Sequence, residues 1–255
     1  MRRGLAILLA LGAEEGAKNG GLGVSQVARL VGREKSQVSR SLKVLEEFGV
    51  VERDAETRGY RLGWRLFALA GQAGDPSLLD AGPPLLLRLV DELGETAHLS
   101  VLQGAEVLTV LSESPNRAVQ AAGWTGRTVP AYCTSSGQAL LFDFERSELE
   151  ALLAEVEFDC AGPRAPRDLD DLFGRISAAR DRGFALVDEE FEPGLVAVAA
   201  PVRDFSGGVV AAINVSAPKF RFGSRLEAAG EAVQAVASQL SARLGSPAAN
   251  GGTKR

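Results

Sequence analysis

The stretch Val24-Ser25-Gln26-Val27-Ala28-Arg29-Leu30, followed after Gly32 by Ser36-Gln37-Val38-Ser39-Arg40-Ser41-Leu42-Lys43-Val44-Leu45, reads as two short helices across a tight turn. In the second, Val38, Leu42 and Leu45 recur at i, i+4 and i+7, which puts one apolar stripe on one face. The opposite face carries Lys35, Ser36, Gln37, Ser39, Arg40 and Lys43. In the first, Ser25 is placed to cap the helix through its hydroxyl, and Val27, Ala28 and Leu30 are expected to face inward. A pair of short helices whose second member is basic and hydroxyl-rich outside is a helix-turn-helix. After Gly49 the pattern changes to Val50-Val51-Glu52-Arg53, a polar turn over Asp54–Arg58, and Gly59-Tyr60-Arg61-Leu62-Gly63. Those are two strands of a hairpin, a wing beside the helices. Upstream, Leu5, Leu8 and Leu9 form a helical stripe that ends at the glycine cluster beginning at Gly20.

These residue types suit a duplex. Ser36, Gln37 and Ser39 are short or amide-bearing and sit near a helix N-terminus, where side chains reach base edges. Gln37 is the leading reader, since glutamine contacts adenine through two hydrogen bonds. Lys35, Arg40 and Lys43 are expected on phosphates, which position the domain without reading sequence. Arg53 and Arg58 on the wing are expected on flanking phosphate or the minor groove, and Ser25 completes the DNA-facing set. Charge agrees: residues 1–65 hold 12 Lys and Arg against 8 Asp and Glu, whereas the remainder holds 16 against 25. A basic head on an acidic body is the footprint of nucleic-acid binding at one end.

At 255 residues the chain holds one large domain or two ordinary ones. No apolar run approaches the ~18 residues of a membrane helix, and Met1-Arg2-Arg3-Gly4 does not open a signal peptide, so a cytoplasmic, non-membrane protein is expected. Two cysteines, Cys133 and Cys160, and a single histidine, His98, exclude a disulfide framework and histidine–zinc chemistry, and no cofactor or metal is expected. Residues 64–76, with Trp64, Phe67 and Leu69, read as a linker helix that frays at Gly71, Gly74 and Asp75. Its apolar surface is expected to pack on a partner protomer, because one reading head recognises only a half-site.

From Ser77 the elements alternate: helices over Pro84–Leu93, Ser136–Phe144, Glu145–Val156, Leu169–Asp181 and Ser224–Leu244, and strands over Ala97–Leu102, Glu106–Leu111, Phe184–Asp188, Leu195–Val202 and Val209–Ser216. The expected class is mixed α/β (α+β) on a largely antiparallel sheet. Along the last two strands, one face is well packed and the other offers Leu195, Ala197 and Ala199 from the first and Val210, Ala212, Asn214 and Ser216 from the second. Small side chains ending in an amide and a hydroxyl leave volume for a small ligand, or else accept a tightly packed helix. The segment Val129-Pro130-Ala131-Tyr132-Cys133-Thr134-Ser135-Ser136-Gly137 runs hydroxyl-rich into a helix start, a polar loop beside that face. Catalysis is not expected. His98 sits in a strand with no fixed relation to Cys133 or Ser135, and no Gly-x-Ser-x-Gly elbow occurs. Asp188-Glu189-Glu190 reads as a solvated turn rather than a metal site.

Val24–Gly63, Pro130–Leu141 and Gly183–Pro218, with Pro193-Gly194-Leu195, Ala199-Ala200-Pro201-Val202 and Ala211–Pro218, resemble the IclR family of transcriptional regulators in order and spacing. The resemblance implies a winged helix-turn-helix over 1–63, a linker helix over 64–76, a GAF-like effector-binding domain over 77–245 and a disordered tail over 246–255. It implies a repressor or activator acting as a homodimer or homotetramer, with operator DNA and a small organic or aromatic acid as partners. Family ligand contacts fall on Ser135, Ser136, Leu195, Ala197, Asn214 and Ser216, with Val129 as an apolar wall and Thr134–Gly137 as the covering loop. Tyr132 stands where members often have histidine, Gln138 where lysine is usual, and Ala197 and Asn214 where some have cysteine and serine. The competing expectation is a DNA-binding protein whose C-terminal domain only oligomerises.

Overall fold

A computed structural model describes residues 2–13, 21–70, 76–115 and 124–246. Gly20, the fraying at Gly71, Gly74 and Asp75, the side chain of Phe67 and the tail over 247–255 lie outside the described residues. The chain divides into two compact units, Met1–Pro76 and Ser77–Arg255.

The first unit contains α1 (Arg2–Gly12), α2 (Val24–Leu30), α3 (Lys35–Glu47), the hairpin β1 (Val51–Arg53) with β2 (Tyr60–Leu62), and α4 (Trp64–Ala70). Its core is Ile7, Leu11, Leu22, Val27, Ala28, Val38, Leu42, Val51 and Tyr60, so the apolar stripe read on α3 is the one buried. Three details differ from expectation. On α1 the buried stripe is Ile7 and Leu11, while Leu5 and Leu9 are exposed, because this helix is apolar on most of its surface and contact with the other helices selects the side. Leu30 is also exposed, since it lies well off the face shared by Val27 and Ala28. Ser25 does not cap α2. The helix starts two residues earlier than a Ser25 cap implies, Gly23 takes the cap position, and its N–H donates to Gln26 Oε1 at 2.8 Å.

The second unit is built on a six-stranded antiparallel sheet. Its strands are β3 (Thr96–Gln103), β4 (Glu106–Glu113), β5 (Thr128–Pro130), β6 (Ala185–Asp188), β7 (Leu195–Arg203) and β8 (Val209–Pro218), in the order β5-β4-β3-β8-β7-β6. Helices α5 (Pro76–Leu93) and α10 (Leu226–Arg243) cover one face. There Val196, Val198, Ala200, Val202, Ala211, Ile213 and Val215 meet Leu85, Leu86, Leu89, Val233, Val236 and Leu240. The other face is covered at one end by α6 (Ser135–Leu140), α7 (Arg146–Leu152) and α8 (Leu169–Arg182). A short α9 (Lys219–Phe222) links β8 towards α10.

The expected helix at Pro84 begins instead at Pro76 and runs through Pro83 and Pro84. Those prolines withhold two N–H donors, but Leu78, Gly82, Leu85, Leu86, Leu89, Val90 and Leu93 repeat at helical spacing and are buried, which outweighs the loss. Gly82 packs closely on the sheet, where a Cβ would stand 2.8 Å from Leu111 Cδ1 and make that side chain shift. Helices α6 and α7 are shorter than expected, and β5 is an additional three-residue strand paired to β4. Helix α8 is capped at both ends: Asp168 Oδ1 accepts from Asp171 N at 2.9 Å, and Gly183 closes it at φ +87°.

Candidate functional site

The strand register determines what shares the second sheet face. Thr96 pairs with Ser216, and Ser216 with Ala197; His98 pairs with both Ser112 and Asn214, and Asn214 with Ala199. Side chains that are neighbours across paired strands lie on one face, so two polar rows run side by side over β4, β3 and β8. Towards α6 that face is filled: Ala199 and Ala212 are buried with Ala139, Leu140 and Ile176. Further along the strands, at the N-terminal end of α6, a cavity of about 320 Å³ opens.

The cavity is bounded on the sheet side by Thr96, His98, Thr109, Ser112, Asn214 and Ser216, with Ala197 and Leu195 from β7. Thr134, the N-cap of α6, and Ser135 and Ser136 in its first turn bound it from above the sheet, and Val129, Trp124 and Phe191 contribute apolar surface. Its size and mixture of apolar surface with a few convergent polar groups suit a small organic ligand. Of the nine effector residues named from the sequence, eight line this cavity: Val129, Thr134, Ser135, Ser136, Leu195, Ala197, Asn214 and Ser216. Gly137 does not. It is a packing position, where a Cβ would meet Ala131 O at 2.0 Å, and its N–H donates to Thr134 Oγ1 at 3.3 Å. Thr134 in turn donates to Pro130 O at 2.9 Å, which ties the loop back to β5. The small residues of β7 and β8 therefore serve both alternatives read from the sequence, helix packing at one end and open volume at the other.

His98, Trp124, Thr96, Thr109, Ser112 and Phe191 also line the cavity and were not among the effector contacts read from the sequence. His98 is the most informative of them. It is 4% exposed, and burial pushes its pKa from 6.5 down to about 4, so the imidazole is neutral at pH 7. Its Nε2 lies 3.5 Å from Ser216 Oγ, its Nδ1 has no hydrogen-bond partner among the described residues, and the Trp124 ring meets it edge-on at 6.1 Å.

Behind the covering loop, the expected solvated turn is in part a buried ionic site. Glu190 is 6% exposed, accepts from Gln138 Nε2 at 2.8 Å and pairs with Arg175 Nη1 at 2.9 Å. Burial nevertheless raises its carboxyl from 4.5 to about 7, with Arg175 and Gln138 opposing the rise. The reason for the burial is the turn itself: Glu189 adopts φ +58°, Gly162 packs directly on the Glu190 carbonyl, and Lys219 pins Asp188 at 2.8 Å and Glu189 at 2.6 Å. Among the described residues no group of His, Cys, Asp and Glu side chains is arranged to hold a metal ion. The Cys133 thiol is pushed far up by burial and by Cys160 beside it. It holds almost no thiolate, the form a nucleophile needs.

On the first unit, Lys35, Ser36, Ser39, Arg40 and Lys43 are exposed along α3, and Gln37 is half-buried at its edge. Ser25 is exposed in the first turn of α2, in front of α3 in the chain. On the wing Arg53 stacks over Tyr60 at 5.2 Å, and Asp54 Oδ1 closes the turn by accepting from Glu56 N at 3.0 Å and Thr57 N at 2.8 Å. Those bonds hold the Asp54 carboxyl below its ordinary pKa. Arg58 is exposed at φ +60°. Arg2 and Arg3 lie in one groove with Gln37, Arg40 and Ser41, an addition to the basic surface signalled only by the paired arginines at the start.

Residues 1–55 match the family model for the IclR helix-turn-helix domain, and residues 76–242 match that for the C-terminal domain of bacterial IclR transcriptional regulators. The HTH-type transcriptional regulator BhcR of Paracoccus denitrificans is 31% identical over 230 residues, covering 88% of this chain and 81% of that protein. The Pca regulon regulatory protein of Pseudomonas putida is 31% identical over 218 residues, covering 85% and 73%. Among solved structures, the IclR of Thermotoga maritima superposes with a TM-score of 0.74 at 25% identity, covering 96% of this chain and 98% of that one. An IclR homologue from Microbacterium hydrocarbonoxydans, crystallised with 4-hydroxybenzoate, shares the fold with a TM-score of 0.78 at 23% identity, covering 95% and 97%. The chain belongs to the IclR family of transcriptional regulators, with a DNA-binding helix-turn-helix at its N-terminus and the family's effector-binding domain behind it.

Proposed function

We propose that the cavity over β3, β7 and β8 is the effector site and that its ligand is a small organic or aromatic acid. The observation that carries this reading is the cavity's composition. Hydroxyls of Thr134, Ser135 and Ser136 on one side and the Asn214–Ser216 strand on the other enclose about 320 Å³ beside Trp124, Phe191 and Val129. The bound 4-hydroxybenzoate of the Microbacterium homologue supports the ligand class. In this reading Ser36, Gln37 and Ser39 read bases, whereas Lys35, Arg40, Lys43, Arg53 and Arg58 hold phosphates. The protein acts in the cytoplasm, without catalysis, as a homodimer or homotetramer. Trp64, which is 76% exposed on α4, supplies apolar surface for pairing.

Effector and operator are then coupled. Such coupling is typically worth about 1–3 kcal/mol, a factor of roughly 5–150 in affinity, and it is reciprocal. The test is operator affinity of the full chain, measured with and without a saturating aromatic acid chosen by thermal shift. A ligand at 100 times its dissociation constant adds roughly 2.7 kcal/mol of stability. Equal operator affinity in both conditions refutes the coupling. A panel of organic acids that shifts nothing favours a C-terminal domain that only oligomerises.

A further inference from the structure

Helix α1 leans on the wing near its end and on α3 near its start. A Cβ on Gly12 would stand 3.5 Å from Leu62 Cδ1 of β2, and a Cβ on Gly4 would stand 3.9 Å from Leu45 Cδ2 of α3. Arg2 and Gly12 are about 15 Å apart along the helix axis, so the first turn of α1 lies well away from the wing. That turn separates two open clefts. One is shared with Gln37 and Arg40 of α3, the other with Arg33 in the turn before α3, and Arg2, Arg3 and Ser41 border both. Four exposed arginines, Arg2, Arg3, Arg33 and Arg40, thus surround one end of the first unit. No carboxylate lines either cleft, and among the described residues none of the four is in an ion pair. The first turn of a helix favours acidic side chains, yet that of α1 holds two arginines and no acid. Like charges gathered in this way repel one another in the free protein, and an extended polyanion relieves them.

We infer that Arg2, Arg3 and Arg33, together with Arg40, form a second phosphate clamp that holds the DNA backbone at a place remote from the wing. Continuity identifies the polyanion as the duplex. Gln37 and Arg40 belong both to the cleft and to the DNA-facing side of α3, so DNA lying on that side borders the arginines of α1. This rests on the reading of α3 above and goes beyond it with three residues outside the helix pair's outward face and the wing. Arginine suits the role, because its planar fork matches phosphate oxygens. Contacts of this kind position the domain and carry no sequence information. The wing, with Arg53 and Arg58, and this cleft then grip separate stretches of backbone, which fixes the angle at which α3 meets the groove.

The experiment is fluorescence anisotropy of the full chain with a labelled duplex pool of randomised sequence, over a series of KCl concentrations. The logarithm of the binding constant falls linearly with the logarithm of salt, with a slope of about 0.9 for each phosphate neutralised. The Arg2→Gln/Arg3→Gln variant is expected to be shallower by about 2 in that slope for each chain bound, and Arg33→Gln by about 1. Arg2→Lys/Arg3→Lys keeps the charges and is expected to retain the wild-type slope. Arg225→Gln, an exposed arginine of the second unit, is expected to leave it unchanged. Sequence preference, read by selection from the same pool, is expected to match the wild type in every one of these variants. An unchanged slope in Arg2→Gln/Arg3→Gln or, where that variant does not fold, in Arg33→Gln overturns the inference. So does an equal fall in Arg225→Gln, which makes the effect one of bulk charge, or a fall in Arg2→Lys/Arg3→Lys, which makes it one of helix packing. A slope that falls in Lys43→Ala but in none of the arginine variants overturns this inference alone. Absence of salt dependence in the wild type overturns the phosphate reading of α3 and this inference with it.

Discussion

Acid should weaken the second unit through one residue. The His98 imidazole ionises near its ordinary 6.5 when the chain is unfolded but only at about 4 when folded, because burial disfavours the charged ring. A histidine with a depressed native pKa contributes stability that is present above the unfolded value and is lost as pH falls through 6.5 towards 4. A tenfold change in an ionisation constant corresponds to about 1.4 kcal/mol, so the whole loss is of the order of 3 kcal/mol, about 2 of which has gone between pH 7 and pH 5. The chain has two tryptophans, and Trp124 packs on His98 while Trp64 is exposed on the first unit. In a Trp64→Phe background, urea unfolding followed by fluorescence therefore reports on the ring beside the histidine. The comparison is Trp64→Phe against Trp64→Phe/His98→Phe at both pH values, which cancels every titrating group the two proteins share. Between pH 7 and pH 5 the histidine protein should lose about 2 kcal/mol relative to the phenylalanine protein. A stability difference that does not change with pH refutes the reasoning, since it would mean His98 is solvated or charged in the native state.

Two further outcomes follow from the same geometry. Glu190 has the opposite sign: a carboxyl raised from 4.5 to about 7 contributes stability below 4.5 that is lost as pH rises through 7. Glu190→Gln keeps an acceptor for Gln138, leaves Arg175 its bond to Asp171 at 2.8 Å, and should gain about 2 kcal/mol on the wild type between pH 5 and pH 8; a constant gap in urea unfolding speaks against this. On the DNA side, Gln37→Ala should relax preference at one base position, whereas Lys43→Ala should weaken binding to all sequences and reduce its salt dependence. Uniform loss in both, measured against randomised duplexes, removes that division of roles.

Much of this was legible because it is periodic. The stripe Val38, Leu42, Leu45 identifies the buried side of α3, and thereby its outward face, without any knowledge of what α3 packs on. Strands β7 and β8 alternate so regularly that Ala197, Asn214 and Ser216 can be grouped on one face from sequence alone, and all three line the cavity. Where periodicity is ambiguous, the prediction fails for a local reason. Helix α1 has apolar residues on most sides, so the pattern does not choose Ile7 and Leu11 over Leu5 and Leu9. Pro84 reads as a helix start, because the sequence does not display the buried surface that α5 gains on the sheet from Pro76 onward.

His98 was out of reach for a different reason. Its segment reads simply as a strand, and nothing within it tells whether the imidazole faces a helix, solvent or a ligand. That depends on β3 pairing with β8, a contact that spans 116 residues between His98 and Asn214 and brings the histidine onto the same face as the amide and hydroxyl already identified. Non-local register of this kind is what turns one strand's polar side chains into part of another strand's site. Glu190 obeys the same logic. An acidic triplet is ordinarily solvated, and only the meeting of its turn with Gly162, Gln138 on α6 and Arg175 on α8 buries the third carboxylate. Both residues are titratable groups buried by long-range contacts, one in the cavity wall and one hydrogen-bonded to α6, the helix entered by the covering loop. A change at either therefore acts on a boundary of the site, which local sequence patterns around His98 and Glu190 do not reveal.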